Sequence, residues 1–361
     1  TALAEEAFAA ALRNATVSSG SDTTLENPNA VGRKGITTSQ FLGYTADTTG
    51  QSVSWGLEGS INDAAMADMA AMLAEDPEVA PEQQAVYAEH AVYFESRASD
   101  FVNMFDANVG FFQAREPDGS WELSPEEYDP TDWQNHAYTE APGWTFAFHA
   151  PFDVPALAAL YGGSDGLDAK LEEFYATPET ATSSAIHEAF EARDVRMGQF
   201  GFSNQVSHHT PYISAANGDP TTTQEVVREV LSRLYVGSEI GQGYAGDEDN
   251  GETSSWYVFS ALGFYPLALG SGEYVIGSPL FDQAVIHRGD DRGGDLTISA
   301  PGNDDATIYV GGVSLDGQAL DSPMLSQAAL ADASELTFSM QAEPSAWGSS
   351  STAEPVHEPL V

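Results

Sequence analysis

The sequence predicts a mostly helical fold, an α/α toroid, closed by a small antiparallel β module. Three observations carry this. Apolar residues recur at helical spacing as far as about residue 270, and the period then drops to two from about Tyr274. Long loops rich in Gly and aromatic residues join the helical stretches, and no repeat of fixed length occurs. Several helix–loop–helix pairs in succession suit a toroid. The expected organisation is a helical toroid domain over 1–270, a β module over 271–348 and a frayed Ser/Thr-rich tail over 349–361.

Each element has its own signal. Thr1–Leu12 is an Ala/Glu helix. Leu57, Ile61, Ala65, Met69 and Leu73 fall on one helical stripe, and Val86, His90, Tyr93, Phe94, Phe101 and Met104 on another. A third helix over Gln224–Tyr235 aligns Val227, Val230, Leu231 and Leu234. A fourth begins near Thr253, holds Trp256, Phe259 and Leu262, and stops at Gly263 with Pro266 beyond it. Short β-rich runs follow at Ala284–His287, Leu296–Ser299, Thr307–Val310 and Leu336–Met340, separated by Gly, Asp and Asn turns.

Composition narrows the function. With 42% hydrophobic residues in 361, the chain buries a sizeable core. Against 55 Asp and Glu stand 12 Lys and Arg, two of them lysines (Lys34 and Lys170), for a net charge of −43. Nucleic acid and anionic membrane surfaces are therefore poor partners. Carboxylates spread among Trp, Tyr and Phe make a solvated, halophile-like surface, because unscreened charges repel over a Debye length of about 10 Å at 0.1 M salt. Without cysteine there is no disulfide and no thiolate metal site or nucleophile. No run of eighteen apolar residues occurs, so no membrane insertion is expected, and Thr1–Leu12 is not a signal segment.

Three loops concentrate polar groups among aromatics. In Tyr138-Thr139-Glu140-Ala141-Pro142-Gly143-Trp144, a carboxylate beside Trp and Tyr is expected to be desolvated and raised toward general-acid duty. Glu140 is the candidate acid, and a surface glutamate beside a core Trp the alternative. The second loop runs from His187-Glu188 through Gln199, Asn204 and Gln205 to Ser207-His208-His209. Its amides and imidazoles can hydrogen-bond sugar hydroxyls or give oxygen ligands to a hard cation. Adjacent His208 and His209 diverge on any regular element, which disfavours zinc and leaves structural histidines as the alternative. The third loop, Gly246-Asp247-Glu248-Asp249-Asn250-Gly251, resembles a calcium loop but has Glu252 and Val258 where an EF-hand needs Gly and Glu. What remains is three carboxylates at a helix N-terminus, either a base kept ionised by the dipole or simple caps.

In order and spacing these loops resemble glycoside hydrolase family 92, the calcium-dependent exo-α-mannosidases. The resemblance runs through Gly43-Tyr44, Leu57-Glu58 with Asp63, Arg97 with Phe105-Asp106, Gly110-Phe111 and Asp118-Gly119-Ser120-Trp121. It continues through Tyr138-Thr139-Glu140, Pro151-Phe152-Asp153-Val154, Gly162-Gly163, His187-Glu188, Gly198-Gln199, Asn204-Gln205 and Gly243-Tyr244. Its most specific stretch is Ser255-Trp256-Tyr257-Val258-Phe259-Ser260-Ala261-Leu262-Gly263-Phe264-Tyr265-Pro266, followed by Gly277-Ser278-Pro279.

The resemblance implies a partial (α/α)6 toroid and an inverting exo-α-mannosidase of a secreted or surface protein. Its implied cofactor is Ca2+ and its implied partner a mannose-containing glycan. By motif, Glu140 is then the acid and Asp249 the base, with Asp247 its helper or rival. His187 and Glu188 fall where the family contacts the leaving sugar, implying α1,2-linked mannose, with Trp144 and His208 as further substrate contacts. Asn204 and Gln205 are candidate calcium ligands. Two departures are Ser203 and Val206, where the family usually carries Gly and Pro. The family's N-terminal β-sandwich and first stretch of barrel do not precede Thr1, so part of the sugar pocket is expected to be missing. The rival readings are an inactive carbohydrate-binding remnant of this fold and a toroid glycosidase of another sugar specificity.

Overall fold

A computed structural model of the chain describes residues 1–18, 32–181, 186–236, 243–289 and 293–349. The predicted tail, past Ser349, lies outside the described residues.

The helical part opens with α1 (Ala2–Thr16), α2 (Ile36–Leu42), α3 (Ser52–Glu75) and α4 (Pro81–Ala98). The predicted stripe of α3 is buried at its two ends, Leu57 and Leu73, and half-buried at Ile61, Ala65 and Met69 between them; Phe94 of α4 is fully enclosed, and the two helices pack on each other. Between them Asp63 sits in the core, compensated by Arg33 and Arg97 at 2.8 Å each. The second predicted stripe does not stay α-helical to Met104. The helix ends at Ala98, and a 3-10 segment, Ser99–Met104, turns Phe101 and Met104 inward.

A short hairpin follows, β1 (Phe105–Asp106) with β2 (Phe111–Phe112). The loop-rich middle carries α5 (Gly143–Phe146), α6 (Val154–Leu160), α7 (Ser164–Ala176), α8 (His187–Val195) and α9 (Thr210–Ala216). Then come α10 (Pro220–Arg233) and α11 (Glu252–Leu262). The α10 helix starts four residues ahead of its periodic stripe because the Asp219 side chain caps Thr222 N–H and Pro220 takes the first turn. At the end of α11, Gly263 adopts φ 96°, and a Cβ there would stand 2.9 Å from Phe338 and 3.2 Å from Pro279. Only glycine fits that stop.

The C-terminal part is two sheets and one short helix. The first sheet orders β3 (Phe264–Tyr265), β4 (Glu273–Ile276) and β9 (Met324–Ser326). The second orders β5 (Gln283–Ile286), β6 (Leu296–Ser299), β10 (Glu335–Gln341), β7 (Tyr309–Leu315) and β8 (Gln318–Leu320). Pairings are antiparallel except β6 with β10, and α12 (Gln327–Asp332) packs beside β9. Strand β7 lies downstream of the predicted Thr307–Val310, since the Thr307 hydroxyl is held in the preceding turn by Gly302 O at 2.6 Å. Leu296, Ile298, Val310, Leu336 and Phe338 make an apolar core of their own.

The two parts are tied together. Tyr212 of α9 stacks on Tyr265 of β3 at 4.7 Å, and Arg228 of α10 donates to Pro279 O and Asn303 Oδ1, both at 2.6 Å.

Candidate active site

The acid loop is clamped from both sides. Thr139 N–H donates to Ser54 Oγ at 2.8 Å, and the Tyr138 hydroxyl donates to Phe112 O at 2.5 Å while meeting Tyr128 Oη at 2.7 Å. Tyr138 and Ala141 are buried, yet Glu140 between them has φ 51° and is exposed. The left-handed twist turns this one side chain out of a buried run. The desolvation expected from its aromatic neighbours is therefore absent, because Tyr138 and Trp144 direct their rings into the core and away from the carboxylate.

The opposing loop enters α11. Asp249 and Asn250 have φ 58° and 59°, and Gly251 has φ 98°, so three consecutive residues are left-handed. Of the three carboxylates only Glu248 serves as a helix cap, accepting from Gly251 N–H at 2.8 Å and Ser254 N–H at 3.1 Å. Hydrogen bonds from Ser254, then from Gly251, hold Glu248 below the usual carboxylate range. Asp247 and Asp249 remain exposed.

One dipeptide joins the two loops. Asn204 Nδ2 donates to Glu140 Oε2 and Glu140 O, each at 3.4 Å, and Gln205 Nε2 donates to Asp249 Oδ2. Side chains from positions 64 and 44 residues away thus meet neighbouring residues. The two exposed carboxylates therefore flank one dipeptide, set apart by two amide side chains and the peptide between them.

The α8 helix supplies the next wall. His187 Nε2 lies 3.2 Å from Glu188 Oε1 on its first turn, with the imidazole largely exposed. Glu191, one turn on, is a group the sequence reading missed, although its i+4 spacing from His187 marks the same face. Burial raises its pKa, His187 lowers it and Asp247 raises it further, so Glu191 faces the acidic loop. Gly246 is the seam between them: a Cβ there would stand 2.7 Å from Glu191 Oε2, 2.7 Å from Ser203 Cβ and 2.8 Å from Ser203 O.

Residues 1–342 match the glycosyl hydrolase family 92 catalytic domain. The chain belongs to that family. Among solved structures it resembles a family 92 inverting mannosidase from Bacteroides thetaiotaomicron, at 28% identity and a TM-score of 0.79, over 98% of this chain and 45% of that one. A family 92 α-mannosidase from the same organism, solved with mannoimidazole, has 22% identity and a TM-score of 0.80, over 96% and 42%. The chain spans less than half the length of these relatives. No curated protein matches it.

Within this family 92 domain two predicted substrate contacts belong to the core instead. Trp144 is 3% exposed, edge-on to Phe111 and under the Lys170 ammonium at 4.1 Å, because α5 rotates its indole toward α7. His208 is 1% exposed between Phe202 and Trp256, and Trp256 Nε1 donates to its carbonyl at 2.9 Å. Burial pushes the His208 imidazole down to about 4, and burial with the nearby His149 holds His209 well below the ordinary range. His149 Nε2 meets Glu58 Oε1 at 2.9 Å. Burial works to raise Glu58, but that hydrogen bond and the His149 charge outweigh it.

Proposed function

We propose that the chain carries the acid and base of an inverting exo-α-mannosidase acting on mannose-containing glycans. The supporting observation is the pair of carboxylates held by Asn204 and Gln205. Inversion needs an acid on the leaving oxygen and a base on a water at the far face, about 6.5–9.5 Å apart. Glu140 gives its proton to the glycosidic oxygen as the C1–O bond breaks. Water attacks C1 from the other side and loses its proton to Asp249, with Asp247 beside it. A sugar seated over Glu140 excludes the water that now reaches it, so desolvation arrives with the substrate.

His187 and Glu188 face the leaving sugar in this reading and select an α1,2 linkage. The donor set also fits calcium: the amide nitrogens of Asn204 and Gln205 face carboxylates, leaving their carbonyl oxygens as hard ligands. Bound there, Ca2+ would hold sugar hydroxyls in place. The acidic surface suits a secreted or surface protein working in brine, with folding and activity rising toward molar chloride.

The test uses α1,2-mannobioside with the full-length gene product beside this chain, with calcium and with chelator, following the product by proton NMR. Release of β-mannose by the long form, lost on chelation, is expected. An α-mannose first product would sink the inverting assignment, and no release by either form would leave a carbohydrate-binding remnant.

A further inference from the structure

Four residues ahead of Glu140, His136 meets two carboxylates from distant parts of the chain. Its Nε2 lies 3.0 Å from Asp47 Oδ1 and 3.3 Å from Glu122 Oε1, and one donor atom from each residue falls within 4.8 Å of the others. We propose that Asp47, Glu122 and His136 bind a divalent first-row transition-metal ion of the zinc class. This inference is independent of the sugar-cleaving reading.

Two of the three spacings are those of ligands sharing an ion, and the third lies within 4.8 Å. Metal–nitrogen and metal–oxygen bonds of about 2.0–2.2 Å put neighbouring ligands about 2.8–3.6 Å apart at right or tetrahedral angles. Both contacts to His136 fall in that window. One imidazole with two carboxylates is a borderline donor set, which suits zinc or manganese, whereas calcium takes oxygen alone. Three protein ligands leave room for water.

The ligand backbones are fixed independently of any ion. Asp47 N–H donates to Arg115 O at 2.9 Å, Glu122 N–H to Ala114 O at 3.0 Å, and His136 O accepts from Gln51 N–H at 2.9 Å. The nearby guanidinium does not neutralise the pair. Arg115 directs its nitrogens at Gly119 O and Asn103 O, both 2.8 Å away, and lies over the Tyr44 and Trp121 rings. Among the described residues no Lys or Arg forms an ion pair with Asp47 or Glu122. Two carboxylates facing one imidazole leave a surplus of negative charge that a cation would offset. The ion would tie the turn ahead of α3, the segment after β2 and the acid loop to one point.

The experiment titrates zinc chloride, and separately calcium chloride, into the chelator-stripped chain by calorimetry, with cobalt absorption as a check on coordination. One saturable zinc site is expected, weakened at least tenfold by His136→Ala and by Glu122→Gln and unchanged by His287→Ala, which alters an exposed His–Asp pair elsewhere. The variant side chains are partly exposed, and the conservative Asp47→Asn repeats the test without truncation. Absent saturable binding, or a zinc affinity untouched by His136→Ala and Glu122→Gln, would reduce the trio to hydrogen-bonded surface groups and overturn the proposal.

Discussion

The helical part and the β module solve the same burial problem in opposite ways. The module encloses Leu296, Ile298, Leu336 and Phe338, and its one fully enclosed polar side chain among the described residues, Ser278, donates to Ile308 O at 2.6 Å. The helical interior keeps Ser52 Oγ, Thr145 Oγ1, His149 Nδ1, Ser207 Oγ and Thr210 Oγ1 buried without a hydrogen-bond partner among the described residues, and the module has no such atom. Each costs about 1–3 kcal/mol unless water reaches it. A fold shaped for stability alone would have replaced them. The module is built to hold, and the helical part carries unpartnered polar groups that the described residues of the module lack.

The sharpest break between the regions comes from Glu140→Gln in the full-length protein. It should lower kcat by about 10²–10⁴ while leaving the melting temperature unchanged, since the side chain is exposed. Steady-state kinetics beside a thermal melt checks both. Phe338→Ala should do the reverse: a loss of about 3–5 kcal/mol of stability in a denaturant melt, with kcat per folded molecule intact.

Acid separates the regions next. Unfolded His208 takes up its proton near the ordinary 6.5, but the folded imidazole does so only at about 4. The unfolded state therefore binds more protons between these values, and stability falls as pH drops through that window, by up to about 3 kcal/mol. Chemical denaturation across pH should show this slope, and His208→Gln should flatten it. The smallest effect is Thr145→Val, which removes an unpartnered hydroxyl at constant shape. Thermal melts should register a gain of about 1 kcal/mol, the low end of the cost of leaving the hydroxyl unpartnered; a loss would mean an ordered water satisfies it.

Long periodic segments were legible in the sequence and short ones were not. The α3 and α11 helices and strand β6 sit where their apolar periods put them. The β3, β4 and β9 sheet was invisible because its strands hold two to four residues and the β9 partner lies some 50 positions after β4. In β7, Gly311 and Gly312 interrupt the alternation. Within the site, motif order named the Glu140 and Asp249 loops, but not where single side chains aim. Trp144 and His208 turn inward while Glu140 turns outward, decided by α5 packing and by one left-handed residue. The Asn204–Gln205 clasp depends on contacts 64 and 44 residues long, which no local pattern encodes.

That clasp works as a caliper. Glu140 and Asp249 are gripped by consecutive residues, so their two loops are held on either side of one peptide unit, whose Cα atoms stand about 3.8 Å apart. Exchanging Asn204 or Gln205 for a residue without an amide would release one loop and leave the other held, so each half of the clasp can be opened by itself.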